Sequence, residues 1–172
     1  DFEKGSFFFF FKEYPRKDTD FPTIDPRDPY KLSPEEEVVV ERLVQAFTKC
    51  EKLQKHIRFM FLKGGLYKVY NSNLLYHGCV PLDENGEFKQ VELFGKSYSG
   101  KALYDILEFY ARRGFIAKNG SEEKEIGRDI MWYIWCNKNS PVFGKDKMTT
   151  FERYFIDDKS THKETKNTYY SL

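Results

Sequence analysis

The chain has 172 residues, of which 40% are hydrophobic, 18% aromatic and 32% charged. This composition is typical of a globular protein and excludes an intrinsically disordered one. The length indicates one domain, or a large piece of one, with enough residues to bury a core. A formal net charge of +1 excludes bulk electrostatic attraction to nucleic acid or to an anionic membrane.

The three cysteines, Cys50, Cys79 and Cys136, are widely spaced and form no C-x-x-C pair. Neither a zinc knuckle nor a disulfide framework is therefore predicted, and reduced thiols in a cytoplasmic protein are the simplest interpretation. No stretch has the pattern of a secretory signal or of an apolar membrane span. Because the chain begins with Asp1 rather than Met, we expect an internal piece of a longer polypeptide, a single fragment over residues 1–172.

The N-terminal region is predicted to contain one strand and one connector. Residues 6–14 carry a run of phenylalanines, which predicts a buried aromatic strand because phenylalanine favours strands and an exposed run would aggregate. Residues 15–32 contain four prolines. Proline fixes φ and lacks a backbone donor, so this segment is predicted to be an extended connector.

A long helix is predicted over residues 33–63. Ser33 is a suitable N-cap, Pro34 suits the first helical position, and Glu36 completes a capping box. Apolar residues then recur at three- and four-residue steps as far as Met60. An unbroken helix of about 30 residues would span roughly 45 Å, a length that leaves room for a break within it.

The second half of the chain is predicted to be mixed in structure. Alternating apolar residues and turn signals predict strands over residues 66–94. Helices are predicted over residues 99–136, one with an apolar face at Leu103, Ile106, Leu107 and Tyr110 and ending at Gly114, and one with Ile126, Ile130, Tyr133 and Ile134 inward. Residues 137–172 are predicted to be loop-rich. The fold class predicted by this order is α+β.

His77 is the residue most indicative of function. An apolar strand runs directly into this histidine and Gly78 follows, an arrangement in which metal-binding histidines are often presented. A core or turn role for His77 is the alternative. Cys79 lies two residues away, a spacing that places both side chains on one face of a strand without aligning them as a nucleophile and its base.

Basic residues in the C-terminal loop could contact a phosphate. Lys145, Lys147 and Arg153 lie close together in the chain, and fixed cations match the charge and oxygens of a phosphate group. A solvated loop with ordinary surface lysines is the alternative. No glycine-rich phosphate loop, G-x-S-x-G motif or His-Glu-x-x-His motif occurs in the sequence, so the catalytic residues remain unknown.

Six segments follow one another in an order that is more specific than any single segment. They are Phe21-Pro22-Thr23-Ile24-Asp25-Pro26, Glu51-Lys52-Leu53-Gln54-Lys55-His56-Ile57-Arg58-Phe59, residues 66–81, Tyr98-Ser99-Gly100-Lys101-Ala102-Leu103, residues 129–136 and residues 140–155. Together they cover nearly the whole chain and resemble the class III fructose-1,6-bisphosphatases. That family is similar to the calcineurin-like metallophosphoesterases, so the resemblance implies part of a sandwich of two β-sheets flanked by helices, lacking the N-terminal metal motifs.

The resemblance also implies a chemistry. Members hydrolyse fructose 1,6-bisphosphate to fructose 6-phosphate and phosphate in gluconeogenesis, with two metal ions, typically manganese. His77-Gly78-Cys79 is similar to the His-Gly-Gly motif that supplies a metal-ligating histidine in related phosphatases, with Cys79 departing from the second glycine. Asp129-Ile130-Met131-Trp132 resembles their Asp-Leu-Leu-Trp block.

The other metal motifs of that superfamily are absent from this sequence, so most ligands are expected outside this chain. The 172 residues by themselves are expected to be inactive. The implied partners are a sugar bisphosphate substrate and the remainder of the polypeptide, and a homo-oligomer stays open. Two alternatives are a protein phosphatase of the same superfamily and a non-catalytic interaction or regulatory domain.

Overall fold

The computed structural model describes residues 4–9, 12–17, 20–143, 152–158 and 169. The chain divides into two compact units, one made of Asp1–Phe59 and Met148–His162 and the other of Met60–Lys147 and Lys163–Leu172. The described residues form helices and three two-stranded antiparallel sheets, which confirms the α+β class. None of the described helices is long and apolar enough to cross a membrane.

The first unit opens with a hairpin. Strand β1 (Ser6–Phe9) pairs antiparallel with strand β2 (Lys12–Pro15). The prediction of one buried strand over residues 6–14 is therefore wrong: the chain folds back on itself, and Phe8 is 68% exposed. Adjacent residues of a strand face opposite sides of the sheet, and here it is Tyr14 that packs in a small core with Ile156.

Two consecutive helices follow the connector. Helix α1 (Pro34–Lys49) begins with the predicted capping box, since the Glu36 amide donates to Ser33 Oγ at 3.2 Å and the Ser33 amide donates to the Glu36 carboxylate at 2.7 Å. Helix α2 (Glu51–Lys63) begins after a break at Cys50, whose ψ of 102° is extended. The long helix predicted over residues 33–63 is thus interrupted once.

The apolar faces of α1 and α2 are largely exposed among the described residues. Neither helix has a buried residue, and Val44 and Phe47 are 54% and 65% exposed. Apolar periodicity indicates a helix that packs against something. Within the described part of the chain, α1 therefore has an amphipathic sequence whose apolar face is exposed, whereas α2 contacts the second unit's core through Phe61, which stacks on Phe115 at 4.2 Å.

The core of the second unit lies between helix α3 (Gly100–Ile116) and helix α4 (Glu122–Cys136). Its fully buried centre contains Leu103 and Leu107 from α3, with Ile130 and Ile134 from α4 beside them. These are positions that the apolar periodicity predicts to face inward. The cap of α4 is Ser121, whose hydroxyl accepts from the Lys124 amide.

The two helices approach at a pair of glycines. A Cβ on Gly114 or on Gly127 would come closer than 3.0 Å to the backbone of the other, so only glycine permits the backbones to lie this near. Gly114 was predicted to end α3, but the helix continues to Ile116. Gly114 instead lets α3 pack closely against α4 at Gly127.

Two hairpins complete the second unit. Strand β3 (Tyr67–Tyr70) pairs with strand β4 (Asn73–Tyr76), and strand β5 (Val91–Leu93) pairs with strand β6 (Lys96–Tyr98). The start of β3 is held to α3, because the Leu66 amide donates to the Glu108 carboxylate at 3.1 Å and the Tyr67 hydroxyl donates to Asp105 at 2.9 Å. The β3–β4 hairpin, which leads to His77, therefore takes its position from α3.

Candidate functional site

His77 follows directly after the last residue of β4, Tyr76. Its side chain is exposed, so the imidazole is accessible to a ligand from outside the second unit. The predicted placement of this histidine at the end of an apolar strand is confirmed. Among the described residues, His77 is therefore not part of a core.

The turn after His77 requires a glycine. Gly78 has φ of +93°, a conformation that costs an L residue roughly 1–2 kcal/mol. A Cβ at this position would also lie closer than 3.0 Å to the Pro141 carbonyl oxygen and at 3.0 Å from two backbone atoms of Val142. The backbone that carries His77 is therefore in direct contact with residues 141–142.

Cys79 anchors the turn after His77 by hydrogen bonds to residues 140–141. Its amide donates to the Pro141 carbonyl at 2.9 Å, and its thiol donates to the Ser140 carbonyl at 3.9 Å. The side chain is fully buried, with 0% exposed. A thiol in this position does not reach a substrate, which removes the alternative in which Cys79 is a nucleophile paired with His77.

Tyr104 holds the same turn from α3. Its hydroxyl donates to the Cys79 carbonyl at 2.8 Å, and the residue is 4% exposed. Its ring also meets the rings of Tyr67 and Tyr76 edge-on, at centroid separations of 5.8 and 6.5 Å. Edge-to-face pairs of this kind are favourable arrangements for aromatic rings. Tyr104 thus contacts both strands of the hairpin and the turn that follows it.

Ser140 connects the turn to α4. Its hydroxyl donates to the Ile134 carbonyl at 2.6 Å and accepts from the amides of Val142 and Phe143 at 3.1 and 3.3 Å. Ser140 and Pro141 are fully buried. The Ser140 hydroxyl therefore links the end of α4 to residues 140–143. The same segment contacts Gly78 and Cys79.

Two pairs of charged or phenolic groups lie near the hairpin. The Lys101 ammonium beside Asp105 holds the pKa of that carboxyl below its usual value, and the pKa of Lys101 is raised to about 12 by the same pair. The hydrogen bond between the hydroxyls of Tyr76 and Tyr169, together with burial, raises the pKa of Tyr76. Tyr76, the neighbour of His77, therefore stays neutral at physiological pH.

The three predicted phosphate-binding residues have no described side chain. Lys145 and Lys147 lie outside the described residues, and so does the side chain of Arg153, whose backbone is in the short helix α5 (Glu152–Phe155). Asp129 is exposed on α4. Among the residues that the structure describes, no three or more His, Cys, Asp or Glu side chains form a group that could hold a metal ion.

Sequence reasoning missed the two residues that hold the His77 turn. Tyr104 lies 25 positions from Cys79 and Ser140 lies 61 positions from it. The one available signal for Ser140 was a serine-proline pair just beyond a predicted helix, which marks a turn. Tyr104 sits on the apolar side of α3 like an ordinary core residue, so nothing local distinguishes it.

The chain is similar to an enzyme family and to its curated members. The family described as Firmicute fructose-1,6-bisphosphatase matches it over residues 1–172. Relatives named fructose-1,6-bisphosphatase class 3 are 55% identical over 170 residues in Clostridium novyi (strain NT), 52% over 172 residues in Bacteroides fragilis (strain YCH46) and 58% over 161 residues in Clostridioides difficile (strain 630). These alignments cover 99%, 100% and 94% of this chain but 26%, 26% and 24% of the relatives.

The chain therefore spans about a quarter of the length of the curated relatives that it matches. No solved structure matches it.

Replacing Gly78 with alanine should destabilise the second unit more than the same change at Gly95. Gly95 also has positive φ, at +71°, but a Cβ there has nothing within 4 Å. Gly95→Ala should therefore lower the free energy of unfolding by about 1 kcal/mol, the cost of the backbone conformation. Gly78→Ala adds the overlap with Pro141 and should cost about 3 kcal/mol in all. Urea denaturation followed by circular dichroism measures both, and equal costs would contradict the close contact.

Proposed function

Because the chain belongs to the Firmicute fructose-1,6-bisphosphatase family, we propose that it forms part of a cytoplasmic phosphatase acting in gluconeogenesis. The enzyme hydrolyses fructose 1,6-bisphosphate to fructose 6-phosphate and phosphate. The family match over the whole chain and the relatives at 52–58% identity support this. The structural observation that supports the proposal is the placement of His77. This histidine is exposed, and the turn that follows it is hydrogen-bonded at Cys79 to Pro141 and to Tyr104.

His77 is assigned as one ligand of a manganese site. An exposed imidazole at a strand end, on a backbone fixed by buried contacts, suits a metal ligand, because ligand geometry must be set before the ion arrives. Since the described residues form no group of three or more metal-ligating side chains, the other ligands come from outside them. His77 binds a metal ion only as the neutral imidazole, so protons compete with the ion in acid.

The reaction is a phosphoryl transfer to water. A water oxygen forms a bond to the phosphorus of the 1-phosphate as the bond from that phosphorus to the sugar oxygen breaks, and the sugar oxygen takes a proton. Manganese, if held by His77 and by ligands outside the described residues, would neutralise charge on the phosphoryl oxygens and lower the pKa of a water. The role of this chain is to hold one imidazole at a fixed place beside the reacting phosphate.

Lys145, Lys147 and Arg153 are assigned to the phosphates of the substrate. A sugar bisphosphate carries two multiply charged groups, and lysine and arginine match such groups by charge and by hydrogen-bond geometry. The support for this assignment is the clustering of the three cations in the sequence.

The β3–β4 hairpin is assigned to a larger sheet of a metallophosphoesterase-like sandwich. It has only two strands among the described residues, and Val69, Leu74 and Leu75 are 61%, 55% and 54% exposed. Val69 and Leu74 are cross-strand partners, whereas Leu75 points to the opposite face. A two-stranded hairpin with apolar residues on both faces is marginally stable alone, so further strands and a covering layer account for its sequence.

A protein phosphatase of the same superfamily and a non-catalytic interaction or regulatory domain are the alternative functions. Assays with the sugar bisphosphate and with a phosphopeptide separate the sugar phosphatase from a protein phosphatase and from this non-catalytic domain, which would hydrolyse neither substrate.

Removal of the His77 imidazole should abolish most of the activity. In the full-length polypeptide with manganese, His77→Ala should lower kcat/KM for phosphate release from fructose 1,6-bisphosphate by about 100-fold or more, since even outer-shell changes at metal sites cost 10–100-fold. His56→Ala, on the exposed side of α2, is the matched control and should leave the activity unchanged. Full activity of His77→Ala would rule out a ligand role.

The three basic residues should affect substrate binding. Alanine at Lys145, Lys147 or Arg153 should each raise KM for the sugar bisphosphate about tenfold, because a charge-assisted hydrogen bond contributes roughly 1.5–3 kcal/mol. Lys138→Ala changes an exposed lysine of the same region and serves as the control. Unchanged KM in all three variants would contradict the assignment.

A further inference from the structure

We propose that the apolar face of α1 is an interface between two copies of this polypeptide, in which the two α1 helices pack antiparallel. The residues of this face follow one another at three- and four-residue steps and are Val39, Val40, Leu43, Val44 and Phe47. The inference is independent of the proposed function, because it involves neither His77 nor the three basic residues that are assigned to the phosphates.

The apolar face of α1 is continuous and exposed. Its five residues are 43% to 65% exposed, and α1 has no buried residue, whereas α3 and α4 each have several. A helix of 16 residues gains most of its stability from the packing of its apolar face rather than from helix propensity. The α1 face therefore needs an occupant beyond the described residues.

The charges beside the apolar face indicate what that occupant is. Glu35, Arg42 and Lys49 are spaced seven residues apart, which places them on one flank of the helix. All three are exposed, and none of them has an ion-pair partner within the described part of the chain. The first turn of α1 is acidic and its last turn is basic. Helix α1 is therefore complementary in charge to a second α1 that runs in the opposite direction.

An antiparallel pair related by a two-fold axis matches the apolar residues as well as the charges. With the axis near Leu43, this leucine lies against its own copy, and Val39 lies against Phe47 of the second copy. Glu35 of each helix then lies beside Lys49 of the other, which gives two identical ion pairs. A parallel pair would instead bring the two acidic ends together and the two basic ends together.

The test measures the dimer dissociation constant of the full-length polypeptide by sedimentation equilibrium, with the thermal unfolding midpoint measured in parallel. One pair of helix faces is a small interface, so we expect a dissociation constant on the order of micromolar. Leu43→Glu should raise this constant about 100-fold or more, because each copy loses a buried leucine and gains a charge that faces its own copy. Ile116→Glu, at an 80% exposed residue at the end of α3, is the matched control and should leave it unchanged.

A charge exchange separates pairing between copies from an effect on the helix itself. Glu35→Lys and Lys49→Glu should each raise the dissociation constant about tenfold, since two ion pairs become two like-charge pairs. The double variant restores opposite charges across the interface and should return the constant to near the wild-type value. Both changes oppose the helix dipole, so a loss caused only by a less stable helix would be larger in the double variant than in either single one.

Arg42→Gln should change the dissociation constant in the opposite direction. Arg42 lies on the same flank near the two-fold axis, so each copy places this cation beside its own equivalent, and the like charges oppose association. Removal of the charge should therefore tighten the dimer about threefold. A weaker dimer in Arg42→Gln would contradict the position of the axis and, with it, the antiparallel pairing.

Three further results would overturn the inference. A full-length polypeptide that stays monomeric up to about 100 µM has no such interface, and a lower unfolding midpoint of monomeric Leu43→Glu would then show that the remainder of the same polypeptide covers the face. Wild-type dimer affinity in Leu43→Glu would place the dimer contact elsewhere. Additive losses in the charge-exchange double variant would refute the pairing of the two helices. If Leu43→Glu fails to fold, the charge variants, which change only exposed side chains, still decide.

Discussion

The close approach of α3 and α4 at Gly114 and Gly127 is the constraint on which the second unit depends. Two helices that meet backbone to backbone bury Leu103 and Ile130 between them, and burial of such side chains contributes roughly 1.5–3 kcal/mol each. The same approach brings together Tyr104, from the beginning of α3, and the segment that follows α4. The turn after β4 is hydrogen-bonded to both, so its geometry depends on how the two helices are packed.

This arrangement explains how an exposed histidine can have a defined position. A side chain on the surface is held only by its own backbone, and the backbone at His77 passes between one fixed strand and one fixed residue, Cys79. The proposed role of His77 as a metal ligand needs an imidazole that is accessible and fixed in place, and burying the neighbours of His77 rather than His77 itself would meet both needs.

Sequence alone predicted the features that rest on local interactions. The capping box at Ser33 and Glu36, the inward positions of α3 and α4 and the strand that ends before His77 all follow from neighbouring residues, and all are present. The features that were wrong or missed depend on distant parts of the chain. Phe8 is exposed because the chain turns back as a hairpin, Gly114 packs against a glycine of another helix, and Tyr104 bonds a carbonyl 25 residues away.

The central claim is that His77 binds a metal ion from the end of this anchored turn. Crystals of the full-length polypeptide grown with manganese, with anomalous diffraction data collected at the manganese absorption edge, test it directly. The account predicts an anomalous peak within bonding distance of a His77 ring nitrogen, with Cys79 still held by Tyr104 and Pro141. A manganese peak elsewhere in the protein, with the His77 imidazole in solvent, would contradict it.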